Sequence, residues 1–393
     1  MNNNPINPRR NRNLLIFFVL LAVVVLIASF ALSYVFLHRP NSSLTTSATP
    51  TPAGTSSGPA TCNGQGVTKN PDGSYTFSWL HINSQGQVVD SHNCLVHLLG
   101  VNMGGLFLSS AGHEPLASVS WYKQNVPMNV VREAINTYWW DTNVYVPDAH
   151  MHYQQWLETV INWQKQNGNY VIIDAATQFH NPPCGTGVTV PCPSQNQASK
   201  NTPPNPQEQS TYQPTPLQAL TDLAKLYGND PQIIFDVWNE PSPKEISGIS
   251  MQTYFQYMNQ RIDTVRQYAP NSIVMVYENG LSQIMSGQYP MYAQKNLMFD
   301  AHIYDAGWKP GDTTGLVSFV HAHGDAFIVG EWGGVPGQPS PSVMIPFLKQ
   351  YDVEACYFGS KDLVKGSAAK SAQLQLNSIG QAVASGYGSI FSS

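Results

Sequence analysis

Residues 232–241 read Gln-Ile-Ile-Phe-Asp-Val-Trp-Asn-Glu-Pro, and the fold can be worked out from this stretch. Its apolar part, Ile233 to Trp238, is rich in β-branched and aromatic residues, which predicts a strand buried on both faces. Pro241 cannot pair within a sheet, so it ends the strand and holds Glu240 at the C-terminal rim. In a barrel of parallel strands, that rim carries the catalytic groups. A plainer alternative is that Glu240 caps the next helix.

Residues 326–334, Ala-Phe-Ile-Val-Gly-Glu-Trp-Gly-Gly, repeat this arrangement. A second buried apolar strand again ends in a glutamate, Glu331. We therefore expect Glu240 and Glu331 to face each other across the mouth of a barrel. Paired carboxylates that flank one bond are the chemical groups used for glycoside hydrolysis.

Apolar strands and amphipathic helices alternate through the rest of the chain. The predicted strands cover residues 95–102, 126–132, 170–174, 233–238, 272–277, 297–302, 327–331 and 353–358. The predicted helices cover residues 150–167, 217–227, 254–268, 315–323, 343–350 and 372–384. Eight strands in βα order over about 300 residues predict a (β/α)8 TIM barrel.

The N-terminal region predicts a membrane segment. Residues 14–37 are uncharged and largely apolar, which is long enough to span a bilayer, and Arg9, Arg10 and Arg12 precede them. The positive-inside rule then places residues 1–13 in the cytoplasm and the remainder outside the cell. A cleaved signal peptide is the alternative, but Ala28-Ser-Phe-Ala31 is an imperfect cleavage site and the apolar run is long. We favour an uncleaved signal anchor.

The segments after the anchor are a linker and one catalytic domain. Residues 38–61 are rich in Ser, Thr and Pro, which is typical of a flexible spacer. The domain is expected to cover residues 62–393, with a small hairpin over residues 73–90. Residues 176–214 lack apolar periodicity, and a loop of this length would wall one side of the active-site cleft.

Composition and cysteines restrict the function further. The net charge of −5 gives no indication of nucleic-acid binding. Export makes disulfides possible, and we expect pairs between Cys62 and Cys94 and between Cys184 and Cys192. Cys356 would remain a buried free thiol.

Five short motifs stand at the predicted strand ends: Gly100-Val-Asn102, Asn129-Val-Val-Arg132, Asn239-Glu240-Pro241, His302-Ile-Tyr304 and Glu331-Trp-Gly333. They resemble the motifs of glycoside hydrolase family 5, the cellulase-like retaining glycosidases with a (β/α)8 fold. The resemblance covers about residues 95–360, and the motifs follow the family's order. Each motif alone is weak evidence for the family, whereas five motifs in the family's order are strong evidence for it.

The resemblance implies a role for each catalytic residue. Glu240 would be the acid/base and Glu331 the nucleophile of a double displacement that needs no metal or organic cofactor. Arg132 would pair with Glu331 and keep it ionised, because an adjacent cation favours the charged carboxylate. Tyr304 would hydrogen-bond Glu331. The substrate would be a β-linked polysaccharide or oligosaccharide of the β-glucan, cellulose or mannan type, cleaved by a monomer.

The remaining sugar contacts combine resemblance with departures from it. Asn239 would bond the sugar 2-hydroxyl, and His302 would line the site near the acid. The third strand of the family usually ends in Asp-x-His, but Ala176 stands at the His position here. The eighth strand usually ends in a Trp, and here Tyr357 or Phe358 takes its place. Three further aromatic residues are expected to contact sugar or surround the nucleophile: Trp140, Trp308 and Trp332.

Two alternatives remain open from the sequence. The departures at the third and eighth strands could indicate a surface carbohydrate-binding protein on a barrel scaffold, without catalysis. The pairs His150-x-His152 and His321-x-His323 could indicate a metal-dependent barrel hydrolase. Neither pair falls at a predicted strand end, so we expect no metal site.

Overall fold

The computed structural model describes residues 62–103, 116–143, 145–146, 149–176, 216–241, 250–305, 307–334, 338–365 and 374–393. The predicted cytoplasmic tail, anchor and linker, the Cys184–Cys192 pair and nearly all of the loop at 176–214 lie outside these residues. Within the described part of the chain, no helix is both long and apolar enough to cross a membrane.

Eight parallel strands close into a barrel. They are β1 (Leu99–Asn102), β2 (Val130–Asn136), β3 (Tyr170–Ala176), β4 (Ile233–Asp236), β5 (Val274–Tyr277), β6 (Leu297–Ile303), β7 (Ala326–Trp332) and β8 (Glu354–Tyr357). Neighbouring strands follow chain order, and β8 pairs with β1, with Cys356 opposite Gly100. The (β/α)8 TIM barrel predicted from the sequence is therefore confirmed.

Helices surround the barrel between the strands. They are α1 (Leu116–Asn125), α2 (Thr137–Thr142), α3 (Tyr153–Gln166), α4 (Pro216–Tyr227), α5 (Met251–Tyr268), α6 (Leu281–Met285), α7 (Thr314–Ala322), α8 (Pro341–Tyr351) and α9 (Ser378–Phe391). Short 3-10 turns cover Pro310–Asp312 and Ser360–Leu363. Two-residue strand pairs join Tyr145–Val146 to Met151–His152 and Val364–Lys365 to Gln375–Leu376.

Side chains alternate between the barrel interior and the surrounding helices, as the two-residue period of a strand requires. On β4, Ile233 and Phe235 belong to the core shared with the helices, whereas Ile234 belongs to the core inside the barrel. Asp236, the next inward position, lies in the interior at 1% exposure. β4 therefore contributes Ile234 as its lower and Asp236 as its upper inward side chain.

The inward side chains form an apolar layer below a polar one. The lower layer contains Val130, Ile172, Ile234, Met298 and Ile328. The layer above it contains Arg132, Asp174, Asp236 and Asp300, all almost completely buried. Buried charges are expensive unless they are paired, so this layer marks the part of the barrel that serves chemistry.

The residues before β1 cover the N-terminal end of the barrel. Val67–Lys69 pairs with Tyr75–Phe77, and His81–Ile82 pairs with Val88–Val89. The single hairpin predicted over residues 73–90 is thus part of two small sheets. The Cys62–Cys94 disulfide expected from the sequence is present, and Cys356 is a buried free thiol.

Three predicted elements differ from the observed ones for physical reasons. Arg132 was expected to end the second strand, but β2 continues to Asn136, whose Oδ1 caps α2 by accepting the Trp139 N–H at 3.1 Å. Helix α1 was not predicted, because its buried face includes the polar Ser118. Helix α9 was expected over residues 372–384, but it begins at Ser378, after the short strand Gln375–Leu376, and continues to Phe391. It passes through Gly386, where a Cβ would lie 2.6 Å from a side-chain carbon of α8, so the close packing of the two helices favours glycine there.

Candidate active site

The two glutamates predicted as the catalytic pair meet at the C-terminal mouth of the barrel. Glu331 lies in β7, and Glu240 follows β4 after a short extension. One carboxylate oxygen of each lies within 4.8 Å of the other. The Glu240 side chain is 35% exposed and that of Glu331 only 9%, so Glu240 is the more accessible acid.

Glu240 occupies an unusual backbone conformation. Its φ of +44° falls in the left-handed region, which residues with a side chain rarely adopt. The carbonyl of Pro241 accepts a hydrogen bond from the Asn279 side chain at the end of β5. Such conformations persist where the surroundings enforce them, and they are concentrated at functional sites.

Arg132 joins Glu331 to Asn239, the residue before Glu240. Its Nη1 donates to Glu331 Oε1 at 2.6 Å, and its Nη2 donates to Asn239 Oδ1 at 2.7 Å. Nη1 also donates to Asn102 Oδ1 at 3.2 Å. The bond from the guanidinium to Asn239 Oδ1 fixes the orientation of this amide and leaves its nitrogen as the donor atom of the side chain. The pairing of Arg132 with Glu331 expected from the sequence is present.

Aspartates surround the other side of the same guanidinium. Arg132 Nη2 lies 2.8 Å from Asp236 Oδ2 and 3.1 Å from Asp174 Oδ2. Burial opposes the arginine charge, but the carboxylates of Asp174, Asp236, Glu331 and Asp300 outweigh burial and raise the pKa of Arg132 well above its ordinary value. Burial also raises the pKa values of Asp174 and Asp236, which favours their neutral forms.

His302 stands between the two glutamates. Its Nδ1 lies 2.6 Å from Glu240 Oε1 and 3.4 Å from Glu331 Oε2, while its Nε2 lies 3.1 Å from Asp300 Oδ2. Burial lowers the pKa of the imidazole, but the charges of Glu331 and Asp300 reverse this and raise it well above the ordinary value. His302 therefore carries a proton readily in the free protein.

Tyr304 completes the surroundings of Glu331. Its hydroxyl donates to Glu331 Oε2, the oxygen that Arg132 does not contact. Burial and the neighbouring Glu331 charge raise the pKa of Tyr304, so its hydroxyl stays protonated as a donor. Both oxygens of Glu331 thus accept hydrogen bonds, which fixes the orientation of the carboxyl group.

The grouping of Glu240, His302 and Glu331 has the spacing that a metal site would need, since their donor atoms lie within 4.8 Å of one another. However, His302 Nδ1 is engaged in a 2.6 Å hydrogen bond with Glu240. We interpret the grouping as hydrogen-bonded and not as a set of metal ligands. Within the described residues, neither His-x-His pair belongs to such a grouping.

The family model described as cellulase (glycosyl hydrolase family 5) matches residues 89–362, which is more than half of the chain. The chain belongs to glycosyl hydrolase family 5.

Two curated relatives of this family 5 chain are named endoglucanases. Endoglucanase 5 of Pectobacterium carotovorum subsp. carotovorum is 23% identical over 295 residues, covering 72% of this chain and 51% of the relative. Endoglucanase N of Pectobacterium atrosepticum is also 23% identical over 295 residues, covering 72% of this chain and 58% of the relative. The chain thus spans little more than half the length of these relatives.

Solved structures share its barrel at low sequence identity. The catalytic domain of Thermobifida fusca endoglucanase Cel5A gives a TM-score of 0.56 at 17% identity, covering 79% of this chain and 97% of that one. The β-glucanase SdGluc5_26A of Saccharophagus degradans, in complex with cellotetraose, gives 0.57 at 13% identity, covering 82% and 96%. A β-mannanase from Streptomyces thermolilacinus gives 0.53 at 17% identity, covering 80% and 97%. At these identities the likeness establishes the fold.

The aromatic residues predicted to contact sugar differ in their exposure to solvent. Phe358 is 38% exposed and stands edge-on to Tyr304, with ring centroids 5.9 Å apart, so it can offer a face to a sugar. Trp308 is partly buried, and its Nε1 donates to Thr313 Oγ1 at 2.9 Å. Both therefore remain candidate sugar contacts.

Two other tryptophans are too deeply buried for the predicted sugar contact. Trp140 is 3% exposed and lines a lateral cavity of about 780 Å³ between α2, α3 and α4. Trp332 is fully buried and packs edge-on against Tyr357, with ring centroids 5.0 Å apart. The burial of Trp140 argues against a sugar contact, because a tryptophan after a strand end has the same sequence pattern whether it faces the cleft or the core. The burial of Trp332 agrees with the other expectation, that it packs beside Glu331.

Four residues near the site were not singled out from the sequence. They are Asp236, Tyr277, Glu278 and Asp300. Asp236 and Asp300 each interrupt an apolar strand at an inward position, and this signal could have identified them. Tyr277 contacts His302 edge-on, with centroids 5.1 Å apart. Burial raises the pKa of Glu278 to about 7, helped by the charge of Asp300.

Proposed function

We propose that this chain is a retaining glycoside hydrolase that cleaves a β-linked glucan of the cellulose type. The observation that carries the proposal is the carboxylate pair at the barrel mouth, with oxygens of Glu240 and Glu331 within 4.8 Å of each other. Retaining enzymes hold their carboxyl groups about 5–5.5 Å apart, whereas inverting enzymes need about 6.5–9.5 Å to admit a water molecule. The spacing here favours retention.

The first step would form a covalent glycosyl-enzyme. Glu331, oriented by Arg132 and Tyr304, attacks the anomeric carbon. The bond to the leaving oxygen breaks as Glu240 protonates that oxygen. Asn239, whose oxygen is fixed by Arg132, presents its amide nitrogen toward the sugar hydroxyl beside the nucleophile.

The second step would hydrolyse the ester on Glu331. Glu240, now ionised, takes a proton from a water molecule whose oxygen attacks the anomeric carbon. The bond between the sugar and Glu331 breaks, and both carboxyl groups return to their initial states. The exposure of Glu240 at the mouth suits it to exchange protons with a leaving group and with water in turn.

The choice of substrate rests on the relatives' names. Two curated relatives are named endoglucanases, and one structural neighbour was solved with cellotetraose. Another neighbour is named a β-mannanase, so mannan is the polymer to test beside β-glucan. The partly exposed Phe358 is the described aromatic residue best placed to stack on either sugar.

The test of this proposal follows both product release and stereochemistry. The purified protein is incubated with β-glucans, mannan and xylan, and reducing ends are measured, with Glu240→Gln as the matched inactive variant. Proton NMR of the first products should show the β-anomer before mutarotation. Initial appearance of the α-anomer would exclude retention, and absence of release from every polymer by the unmodified chain would contradict the hydrolase proposal.

We also propose that residues 14–37 anchor the catalytic domain outside the cell. The support is the uncharged apolar run with three arginines before it and the Ser/Thr/Pro-rich linker after it. Protease added to intact cells should release an active fragment that begins within residues 38–61. An activity that stays inside the cell, or that is secreted without its N-terminal segment, would contradict this topology.

A further inference from the structure

A line of three hydrogen-bonded groups runs from the barrel interior to the mouth. Asp300 Oδ2 lies 3.1 Å from His302 Nε2, and His302 Nδ1 lies 2.6 Å from Glu240 Oε1. The side chains of Asp300 and His302 are each 1% exposed, whereas Glu240 reaches solvent. Only the outermost of the three groups can exchange protons directly with water or a ligand.

Asp300 is held in this position by a second bond. Its Oδ1 accepts the backbone N–H of Gly330 at 2.8 Å, directly before Glu331 in β7. A Cβ at Gly330 would lie 2.2 Å from that oxygen, so the absence of a side chain permits the contact. One aspartate therefore connects the strand of Glu331 with the imidazole that contacts Glu240.

We propose that Asp300 is a positioning residue for the acid/base, because it fixes His302 with a proton on Nε2 and so lets His302 and Glu240 share the catalytic proton across one hydrogen bond. This inference rests on the proposed hydrolase function. Aspartate at this position was not among the residues that the family resemblance implied.

The proton balance follows from the hydrogen-bonding capacity of imidazole. With Nε2–H donating to Asp300, Nδ1 either accepts the proton of a neutral Glu240 or donates it to an ionised Glu240. The pair holds one shared proton in either form. Delivery of that proton to the leaving oxygen leaves neutral His302 and ionised Glu240, and the water that attacks the glycosyl-enzyme returns it. If Nδ1 carried the fixed hydrogen instead, Glu240 would lose its acceptor.

Several titratable or charged groups face His302 from the surrounding strands. They are Glu240 and Asp236 from β4, Glu331 from β7, Tyr277 and Glu278 from β5, Asp174 from β3, Arg132 from β2, and Asp300 and Tyr304 from its own strand. Asp300 is the group among them that bonds Nε2. Its removal therefore tests the position of the proton more selectively than removal of the others.

The first experiment is an NMR measurement on the full unmodified chain without substrate. Histidine is labelled with nitrogen-15, and the His302 signals are assigned with His302→Gln. We expect Nε2 to remain protonated from about pH 5 to 9, while Nδ1 follows the shared proton. An unprotonated Nε2 at neutral pH would overturn the proposal, whatever the protein hydrolyses.

The second experiment compares Asp300→Asn with Asp325→Asn by pH-rate profiles. Asp300→Asn keeps the size of the side chain and removes its charge, so the basic limb of kcat/KM should move to lower pH by about one unit or more. We expect kcat to fall at least about 10-fold and KM to change little, because proton transfer and not substrate binding is affected.

Asp325→Asn is the matched control. Asp325 is also a 1% exposed aspartate, and it accepts the Leu297 N–H at 3.4 Å at the N-terminal end of the barrel. Its loss should lower stability and leave the basic limb in place. If Asp300→Asn lowers kcat without moving either the limb or the His302 titration, Asp300 is purely structural. If the unmodified chain releases no sugar, the hydrolase proposal fails, and the NMR result still decides the hydrogen-bond arrangement.

Discussion

Replacing Arg132 with methionine should destabilise the protein in a manner that depends on pH. The substitution keeps an apolar chain of similar length and removes the guanidinium that lies 2.6 Å from Glu331, 2.8 Å from Asp236 and 3.1 Å from Asp174. Arg132 is fully buried, so water cannot replace it as a partner. The three carboxyl groups would remain close together without the guanidinium that lies between them.

The size of the effect follows from this geometry. Breaking a buried ion pair by removing one partner costs about 3–5 kcal/mol. With an unfolding entropy of about 2.1 cal/mol/K per residue, a domain of about 330 residues loses about 1.4 °C per kcal/mol, so Tm should fall by about 4–7 °C at neutral pH. Catalysis should fall as well, because Glu331 loses the donor to its Oε1.

The pH dependence has a definite sign. Burial already raises the pKa values of Asp174 and Asp236 in the folded protein, and loss of Arg132 would raise them further. A carboxyl group whose folded pKa is raised binds its proton more tightly in the folded state, so falling pH stabilises the fold. The Tm deficit of Arg132→Met should therefore be largest near pH 8 and should narrow toward pH 5.

The Tm deficit of Arg132→Met is measured by thermal unfolding at pH 5, 7 and 8, followed by circular dichroism. Arg266→Met is the control. Arg266 is largely buried but donates to main-chain carbonyls, with Ser272 O and Lys295 O each at 2.7 Å. Its loss should lower Tm by a similar amount at every pH. A deficit for Arg132→Met that stays constant from pH 8 to pH 5, as in the control, would refute this account of the buried charges.

Three further changes test other parts of the site. Tyr304→Phe removes a hydrogen bond to an ionised carboxylate worth about 1.5–3 kcal/mol, so initial-rate measurements should show kcat/KM about 10- to 100-fold lower; an unchanged value would mean that Glu331 does not need this donor. Phe358→Ala should raise KM for polymers and change Tm by less than about 1.5 °C, because the ring is 38% exposed; an unaltered KM would exclude it as a sugar platform. Burial raises the pKa of folded Glu278 from 4.5 to about 7, so the unmodified protein should lose stability as the pH rises between these values. Denaturant titrations should show a smaller loss for Glu278→Gln. If both proteins show the same pH dependence of stability, the pKa of Glu278 is not perturbed.

The sequence predicted the order of the strands and the meeting of Glu240 and Glu331 at one rim, because both depend on local pattern. A buried parallel strand appears as an apolar run, and a carboxylic acid at its end is conspicuous, as at Glu240 and Glu331. The motifs also anticipated the contacts of Arg132 and Tyr304 with Glu331. These contacts occur because parallel strands bring their C-terminal ends to one rim.

Other features depend on the three-dimensional arrangement and could not be read from pattern. Trp140 and Phe358 both follow barrel strands, yet one is buried beside a lateral cavity and the other is exposed near the site. Which face a residue presents after a strand end depends on the following turn, and the turn depends on caps such as Asn136. The role proposed for Asp300 depends on its hydrogen bonds to His302 and Gly330, which lie on two different strands and which no sequence pattern reveals.

The departures from the family pattern do not change the side chains that hydrogen-bond Glu331, although the ring of Phe358 stands edge-on to Tyr304. Glu331 is contacted by Arg132 from β2 and by Tyr304 and His302 at the end of β6. Ala176, in place of the usual histidine, ends β3 opposite Asn136 of β2, and Phe358 follows β8. Changes at these two places can reshape the walls of the cleft while the hydrogen bonds to Glu331 stay intact. Under the proposed mechanism, Arg132 and Tyr304 would orient Glu331, whereas the positions of Ala176 and Phe358 would shape the sugar site. Substitutions at these two positions should therefore alter the choice of sugar more than the cleavage step.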